Sequence, residues 1–209
     1  MYVPTQHAVA DREKLAAVMQ EHSFATVVTV DGGSPFASHV PILFFPARGA
    51  HGVLTGHFAR ANPQWRHFAP DKEVLVIFQG PHAYVSPNWY QTRPAVPTWN
   101  YVALHAYGTS RLLESEQELN ALLNATIEKY EAGQPNPWRG DLPEDFKAKM
   151  MKGIVGFEIA VTRLEGKFKL SQNRSAEDVA GVIDVLSRSE RQTERELAAL
   201  MDEASKPHN

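Results

Sequence analysis

The residue types with the clearest capacity for chemistry lie close together in the segment 54–68. A hydroxyl at Thr55 and a permanent cation at Arg60 flank Gly56, whose missing side chain permits a positive φ or the close approach of a ligand. Asn62 suits a helix N-cap and is followed by proline at the first helical position. A helix N-terminus beside an arginine favours a phosphate, because its free N–H groups and its dipole attract an anion. The alternative is an ordinary strand-to-helix junction with a surface arginine.

Two further segments carry polar side chains suited to ligand binding. Segment 97–101, Pro-Thr-Trp-Asn-Tyr, places aromatic, hydroxyl and amide groups at the start of a predicted strand, where they can flank a flat ring. Segment 169–174, Lys-Leu-Ser-Gln-Asn-Arg, supplies donors for an anionic ligand rich in amide groups. The alternatives are that Trp99 and Tyr101 are core aromatics and that residues 169–174 form a solvated loop.

Composition places the chain among soluble globular proteins, with 43% hydrophobic and 22% charged residues in a length of 209. The absence of cysteine excludes disulfides, thiolate metal sites and a cysteine nucleophile. A net charge of −3 argues against a broad electrostatic surface for nucleic acid. We expect a cytoplasmic protein without a membrane segment, because no apolar run reaches spanning length and the N-terminus lacks a secretory pattern.

The nine histidines raise the question of a metal site, but their spacing does not support one. The chain has no HExxH motif and no paired His-x-His, so we expect no metal. It also lacks the Walker A, GxGxxG and GxSxG motifs, so no catalytic residue is assigned. A structural or hydrogen-bonding role is expected for each histidine that lies on a separate predicted element: His39, His57, His67, His82 and His105.

Hydrophobic periodicity predicts strands separated by turns, without a regular βαβ alternation. Asp-Gly-Gly at 31–33 predicts a hairpin, and Pro41 inside the returning strand predicts an edge position or a bulge. Further strands are predicted to end at Thr55, before Gly80 and before Gly166. This arrangement is typical of an antiparallel barrel with added helices.

The helices divide the predicted chain into two parts. Residues 1–174 are expected to form the barrel with its inserted helices, one of which opens with a capping box at 115–118. Residues 175–209 are expected to form helices that pack on the barrel or on a dimer partner. The last two helices can be mistaken for a helix-turn-helix. However, the final helix is rich in glutamate, whereas a recognition helix is normally more basic.

Several uncommon sequence blocks occur together, and with them the chain resembles the PaiB family of FMN-binding negative transcriptional regulators over nearly its full length. The blocks are MYVP at 1–4, GHFARANPQ at 56–64, YVSPNWY at 84–90, PTWNY at 97–101, GIVGF at 153–157 and GKFKLSQN at 166–173. The resemblance implies the FMN-binding split-barrel fold and a homodimer with FMN at the subunit interface. Where relatives often carry lysine, this chain has Arg60, which keeps the positive charge and can also donate two parallel hydrogen bonds to a phosphate.

The resemblance also implies where the cofactor binds. The FMN phosphate would lie near the strand–helix junction, and the flavin ring would lie near segments 38–41 and 98–100. Lys169, Gln172 and Asn173 would reach across the dimer. The implied cofactor-binding residues are Ser38, His39, Val40, Pro41, Thr55, His57, Arg60, Asn62, Thr98, Trp99, Asn100, Lys169, Gln172 and Asn173.

Three functions follow as hypotheses. The first is an FMN-binding PaiB-like negative transcriptional regulator that acts through DNA or through a protein partner. The second is a flavin-dependent, NAD(P)H-linked oxidoreductase, in which the protein orients the flavin and the substrate. Its substrate-side candidates are His57, Trp89, Tyr90 and His105. The third, suggested by the histidine count, is a haem-handling protein of the same fold.

Overall fold

The computed structural model describes residues 1–206. The strands, numbered in chain order, are β1 Ala8–Val9, β2 Phe24–Asp31, β3 Ser34–Pro41, β4 Leu43–Phe45, β5 Val53–Ala59, β6 Glu73–Val85, β7 Thr98–Leu112 and β8 Ile154–Lys169. The α-helices are α1 Arg12–Glu21, α2 Glu116–Glu131, α3 Glu144–Met151, α4 Ala176–Ser187 and α5 Gln192–Ser205. Short 3-10 turns occur at Thr5–His7, Pro63–His67 and Pro87–Trp89.

The strands form one sheet in the order β3-β2-β6-β7-β8-β5-β4, with β1 paired to β8. The pairs β1–β8, β2–β3, β2–β6, β4–β5 and β5–β8 are all antiparallel. β3 and β4 stand at opposite ends of this order although only Ile42 separates them in the chain. The predicted antiparallel, mainly β fold with added helices is confirmed. Pro41 ends the edge strand β3, as its missing N–H requires.

Local sequence explains the turns and helix starts. Asp31 pairs with Ser34 across a two-residue turn, in which Gly32 and Gly33 have φ values of 54° and 86°. Positive φ at both positions is the geometry that glycine supplies in tight hairpins. The predicted capping box is also confirmed, because Ser115 caps α2 and the Glu118 carboxylate returns to the Ser115 backbone.

Three predicted strand ends are wrong, because glycine serves close packing at these places. β5 continues from Thr55 to Ala59, and β6 and β8 continue through Gly80 and Gly166. A Cβ on Gly80 would lie 2.9 Å from the Val102 side chain, and one on Gly166 would lie 2.4 Å from Leu15. The glycines therefore let neighbouring elements approach and do not end the strands.

The chain divides into two compact units, and three long strands contribute residues to both. The first unit consists of Met1–Leu15, Gln79–Leu104 and the described residues from 165 onward, with α4 and α5 in contact. The second unit consists of Ala16–Phe78 and His105–Leu164. The predicted division at residue 174 stays a prediction. Within residues 1–206, no helix is both long enough and apolar enough to cross a membrane.

The core of the second unit is built around three phenylalanine rings. The ring of Phe157 lies 4.7 Å from that of Phe58 and 5.3 Å from that of Phe68, measured between centroids. Phe58 is on β5 and Phe157 on β8, where it pairs with Gly56. This packing anchors the strand that leads into the predicted phosphate segment.

Candidate functional site

The predicted junction after β5 is a turn with a satisfied cap. The Asn62 side chain accepts a hydrogen bond of 3.0 Å from the Gln64 backbone N–H, and Pro63 is the first residue of the turn. The predicted N-cap is therefore confirmed. The predicted helix is a 3-10 turn of five residues, too short to present the dipole of an α-helix. Any phosphate here must be held mainly by side chains.

Asn62 joins this turn to the edge strand β3. Its Nδ2 donates a hydrogen bond of 2.8 Å to Oγ of Ser38, so two predicted binding segments meet in space. On the same strand, Nδ1 of the exposed His39 lies 2.9 Å from Oγ1 of Thr26. Because β3 is an edge strand, it leaves alternate backbone groups unpaired, and Val40 and Pro41 lie at its end. The backbone of 38–41 is thus suited to address the polar edge of a ring.

Arg60 lies one residue beyond β5 and is held by backbone carbonyls. Its Nε donates to the carbonyl of Lys152 at 2.7 Å, and one terminal nitrogen donates to that of Ile154 at 2.9 Å. No carboxylate of residues 1–206 forms an ion pair with it. The side chain lines a cavity of about 250 Å³ together with Lys152. Arg60 therefore has a fixed orientation and a second terminal nitrogen for an anion, in a cavity that Glu114 and Glu116 also line.

Thr55 and His57 lie on the face of β5 that α2 covers. They pair with Glu158 and Gly156 of β8, and directly opposed residues share a face. A Cβ on Gly156 would lie 2.9 Å from Leu119 of α2. Thr55 is only 5% exposed, and its hydroxyl has no hydrogen-bond partner among the described residues. It therefore faces a different neighbourhood from the pair formed by Asn62 and Ser38.

That neighbourhood is a cavity of about 310 Å³ with two arginines that sequence reasoning did not single out. Arg48 and Arg111 donate to the two carboxylate oxygens of Glu158 at 2.7 and 2.8 Å. Burial raises the pKa of Glu158, but the hydrogen bonds from both arginines outweigh it, and its pKa is lowered. The hydrogen bond from Arg111, together with Ser115, lowers the pKa of Glu118 to about 2. Both arginines are thus already paired with carboxylates, unlike Arg60.

Gly56 does not have its predicted conformational role. It lies inside β5 without a positive φ, and a Cβ there would be 2.9 Å from both Ile42 and Phe157. The space above this glycine is filled by core side chains. Gly56 therefore permits tight packing, and its predicted use for a turn or a ligand is wrong.

The predicted residues of the first unit form a separate polar group. Lys169 donates a hydrogen bond to the Thr98 hydroxyl, and Nδ2 of the buried Asn100 donates to Oγ of Ser171 at 2.8 Å. Oε1 of Gln172 accepts from the Leu170 backbone at 2.8 Å. The structure therefore brings the start of β7 together with the end of β8 and the residues that follow it.

The Trp99 side chain of this unit is 53% exposed, so its alternative interpretation as a core aromatic is wrong. His82 and Tyr84 lie beside it, with centroid distances of 6.3 and 6.1 Å. Asn173 is exposed as well. By contrast, Tyr90 is buried beneath the guanidinium of Arg174, 4.3 Å from its ring centroid. Trp99 is therefore available to a planar ligand, whereas Tyr90 is a core residue.

Burial lowers the pKa of His57 from its ordinary value of 6.5. Below about pH 6.5 the unfolded chain therefore binds a proton more readily than the folded chain, and stability falls. We expect His57→Gln to lose less stability than the wild type between about pH 7.5 and 5.5. Urea unfolding of both proteins at the two pH values measures this difference, and equal pH dependence would contradict the burial of this imidazole.

Comparison with known proteins gives concordant results. The family described as "Putative FMN-binding domain" matches residues 1–163. A protein of Bacillus subtilis (strain 168), named protease synthase and sporulation protein PAI 2, is 44% identical over 208 residues, which cover 99% of each chain. The FAD and heme binding protein from Mycobacterium smegmatis superposes with a TM-score of 0.62 at 17% identity, over 83% of this chain and 79% of that one. The flavocytochrome Anf3 from Azotobacter vinelandii superposes with a TM-score of 0.60 at 16% identity, over 83% of this chain and 74% of that one.

The antiparallel sheet with its added helices and this structural likeness define the class, a protein with the flavin-binding split-barrel fold. Within that class, the match over most of the chain and the 44% identity identify the family: this chain belongs to the PaiB family of FMN-binding proteins. FMN is accordingly its cofactor.

The residues present fit such a cofactor. Arg60 offers a guanidinium for the phosphate, and Asn62, two residues further along the chain, offers an amide group that is bonded to the Ser38 hydroxyl. Three buried polar atoms at or next to the predicted positions lack a partner in residues 1–206: Thr55 Oγ1, Gln64 Oε1 and Asn100 Oδ1. A buried polar atom without a partner costs about 1–3 kcal/mol, so such atoms are expected where a ligand or water completes the structure.

Proposed function

We propose that this chain is an FMN-binding negative transcriptional regulator that works in the cytoplasm as a homodimer with FMN at the subunit interface. The observation that carries the proposal is the hydrogen bond of 2.8 Å between Asn62 and Ser38. It connects the predicted phosphate segment with the predicted ring segment in one place of the second unit. The similarity to the Bacillus subtilis protein over 99% of both chains supports the regulatory role.

In this proposal each predicted group has a role that its chemistry allows. Arg60 and Asn62 hold the phosphate, because a guanidinium donates charge-assisted hydrogen bonds to phosphate oxygens. Ser38 and the backbone of 39–41 address the ribityl chain and the polar edge of the ring. Bound FMN supplies a redox-active ring, while the protein binds and orients it. Thr55 and His57 are expected to make further contacts. The resemblance also implies that Thr98, Trp99 and Asn100 lie near the ring, and that Lys169, Gln172 and Asn173 reach across the dimer.

Regulation is proposed to act through a protein partner. The last helix, α5, carries four acidic side chains against one basic side chain, Arg195, and phosphate groups of DNA repel an excess of negative charge. The acidic residues near and within α5 are Glu190, Glu194, Glu196, Asp202 and Glu203, against Arg191 and Arg195. If the protein bound promoter DNA directly in a gel-shift assay at physiological salt, the proposal of a protein partner would be wrong, and DNA would be the target.

Flavin retention and molar mass test the proposal together. Purified protein is mixed with FMN, passed through gel filtration with light scattering, and its absorption spectrum is recorded. We expect a retained two-band flavin spectrum in a peak of twice the chain mass of 23.3 kDa. A folded protein that releases all FMN would overturn the cofactor role, and a monomer with retained FMN would overturn the interface.

A second candidate function is a flavin-dependent oxidoreductase, favoured by the exposed ring of Trp99 beside His82 and Tyr84. Exposed aromatic faces suit a planar substrate or a nicotinamide. His105, half-buried with Nδ1 3.5 Å from the hydroxyl of Tyr107, stays a substrate-side candidate. Oxidation of NAD(P)H by the FMN-loaded protein, followed at 340 nm with a quinone acceptor, would favour this function, and the absence of turnover would exclude it.

A further inference from the structure

Gln64 is a buried amide that ties the turn after β5 to two strands. Its side chain is fully buried. Nε2 donates to the carbonyl of Val27 on β2 at 2.9 Å and lies 3.3 Å from the carbonyl of Phe36 on β3. The Gln64 backbone N–H donates the hydrogen bond by which the Asn62 side chain caps the turn. One residue therefore contacts the hairpin through its side chain and Asn62 through its backbone.

A second layer of hydrogen bonds holds this amide in one orientation. Nε2 of Gln64 also donates to Oγ1 of Thr29 at 3.2 Å, and that hydroxyl lies 3.0 Å from Nδ1 of the buried His67. His67 belongs to the same turn as Gln64, and its Nε2 lies 3.6 Å from the Asp31 carboxylate. A flipped amide would place its oxygen against two carbonyls, which is unfavourable. The turn and the hairpin are thus joined by a network of buried donors and acceptors.

We propose that Gln64 is the positioning residue of the flavin site, an inference that rests on the proposed FMN binding. In the proposed site the phosphate is held by Asn62, which caps the turn, and by Arg60, which precedes it, whereas the ring lies against 38–41 on the hairpin. Gln64 sets the separation between the turn and the hairpin, because it belongs to the turn, donates its backbone N–H to Asn62 and bonds the hairpin through its side chain. FMN bridges that separation, so its phosphate and ring are bound together only when the separation is correct.

The test compares FMN with riboflavin, which has the same ring and lacks the phosphate. The ratio of the riboflavin Kd to the FMN Kd measures the contribution of the phosphate. Gln64→Met fills the same volume without the amide donors. We expect the FMN Kd to rise about tenfold, as for loss of a buried hydrogen-bond network, and the riboflavin Kd to rise much less. The ratio therefore falls.

A general loss of stability gives a different result. A smaller folded fraction lowers the apparent affinity for FMN and for riboflavin by the same factor, so the ratio of the two Kd values is unchanged. Ser23→Ala is the matched control, since the buried Ser23 hydroxyl bonds Tyr130 at 2.7 Å away from the turn. Thr29→Val, which removes one acceptor of Gln64, is the milder second variant if Gln64→Met does not fold. We expect it to lower the ratio in the same direction.

The outcomes separate the inference from the function on which it rests. A wild-type protein that binds neither flavin overturns both. A wild type that prefers FMN, with an unchanged ratio in Gln64→Met or Thr29→Val, overturns the positioning role alone. A ratio that falls in these variants and is unchanged in Ser23→Ala supports it.

Discussion

Replacing Arg60 with alanine is expected to raise the Kd for FMN by about 10- to 150-fold, the equivalent of about 1.5–3 kcal/mol for a hydrogen bond to a charged group. Two nitrogens of Arg60 are fixed by the carbonyls of Lys152 and Ile154, which orients the guanidinium before any ligand arrives. Its charge is not neutralised by a carboxylate of the described chain. Titration of the variant with FMN, followed by the quenching of flavin fluorescence, measures the change.

Two controls distinguish binding from folding in this experiment. Riboflavin affinity is expected to be nearly unchanged in Arg60→Ala, because riboflavin has no phosphate. Arg66→Ala removes an arginine of the adjacent turn that lies over the Trp65 ring, and FMN affinity is expected to persist there. Arg60→Lys keeps the positive charge but lacks the paired N–H donors of the guanidinium, and its affinity for FMN is expected to be intermediate. If Arg60→Ala binds FMN as tightly as the wild type, Arg60 serves only to join β5 to the start of β8.

Replacing Phe157 with alanine is expected to lower the free energy of unfolding by about 3–5 kcal/mol. Phe157 is fully buried, and its ring packs against those of Phe58 and Phe68, so its removal leaves a cavity in the core of the second unit. The cavity lies against Gly56, where the ring now fills the space above the backbone of β5. Urea denaturation at pH 7 measures the change.

Phe146→Ala is the matched control for this prediction. Phe146 lies on α3 with 47% of its surface exposed, so its truncation is expected to change stability by no more than about 0.5 kcal/mol. A loss below about 1 kcal/mol in Phe157→Ala would mean that the neighbouring rings close over the site, and that the core does not depend on this residue.

Much of the local structure follows from short stretches of sequence. The Gly32–Gly33 hairpin, the capping box at Ser115 and the cap at Asn62 are each specified by residues within a few positions of one another. The role of a glycine is not specified by the residues next to it in the chain. At Gly56, Gly80 and Gly166 it makes room for a neighbouring element, and the identity of that neighbour is not encoded nearby.

The candidate site shows the same limit at longer range. Sequence reasoning placed Thr55 and Arg60 in one phosphate group because they are five residues apart. The register of β5 against β8 turns Thr55 into a cavity with Arg48 and Arg111, whereas Arg60 lines a second cavity that shares only Leu113 with the first. The burial of Gln64 is not predicted by the sequence for a related reason. A glutamine in a polar segment is usually exposed, and here its burial depends on contacts with residues 28–37 positions away.

The sequence by itself determined the PaiB family, the antiparallel β class and the segments that carry polar chemistry, because these depend on residue types in chain order. The tertiary structure alone decided which of those side chains meet. It joined Asn62 to Ser38 across 24 positions, held Arg60 by the carbonyls of Lys152 and Ile154, and paired Arg48 and Arg111 with Glu158. The physical reason is that a side chain's neighbours are set by strand register and packing, which arise only when distant segments bury their apolar faces together.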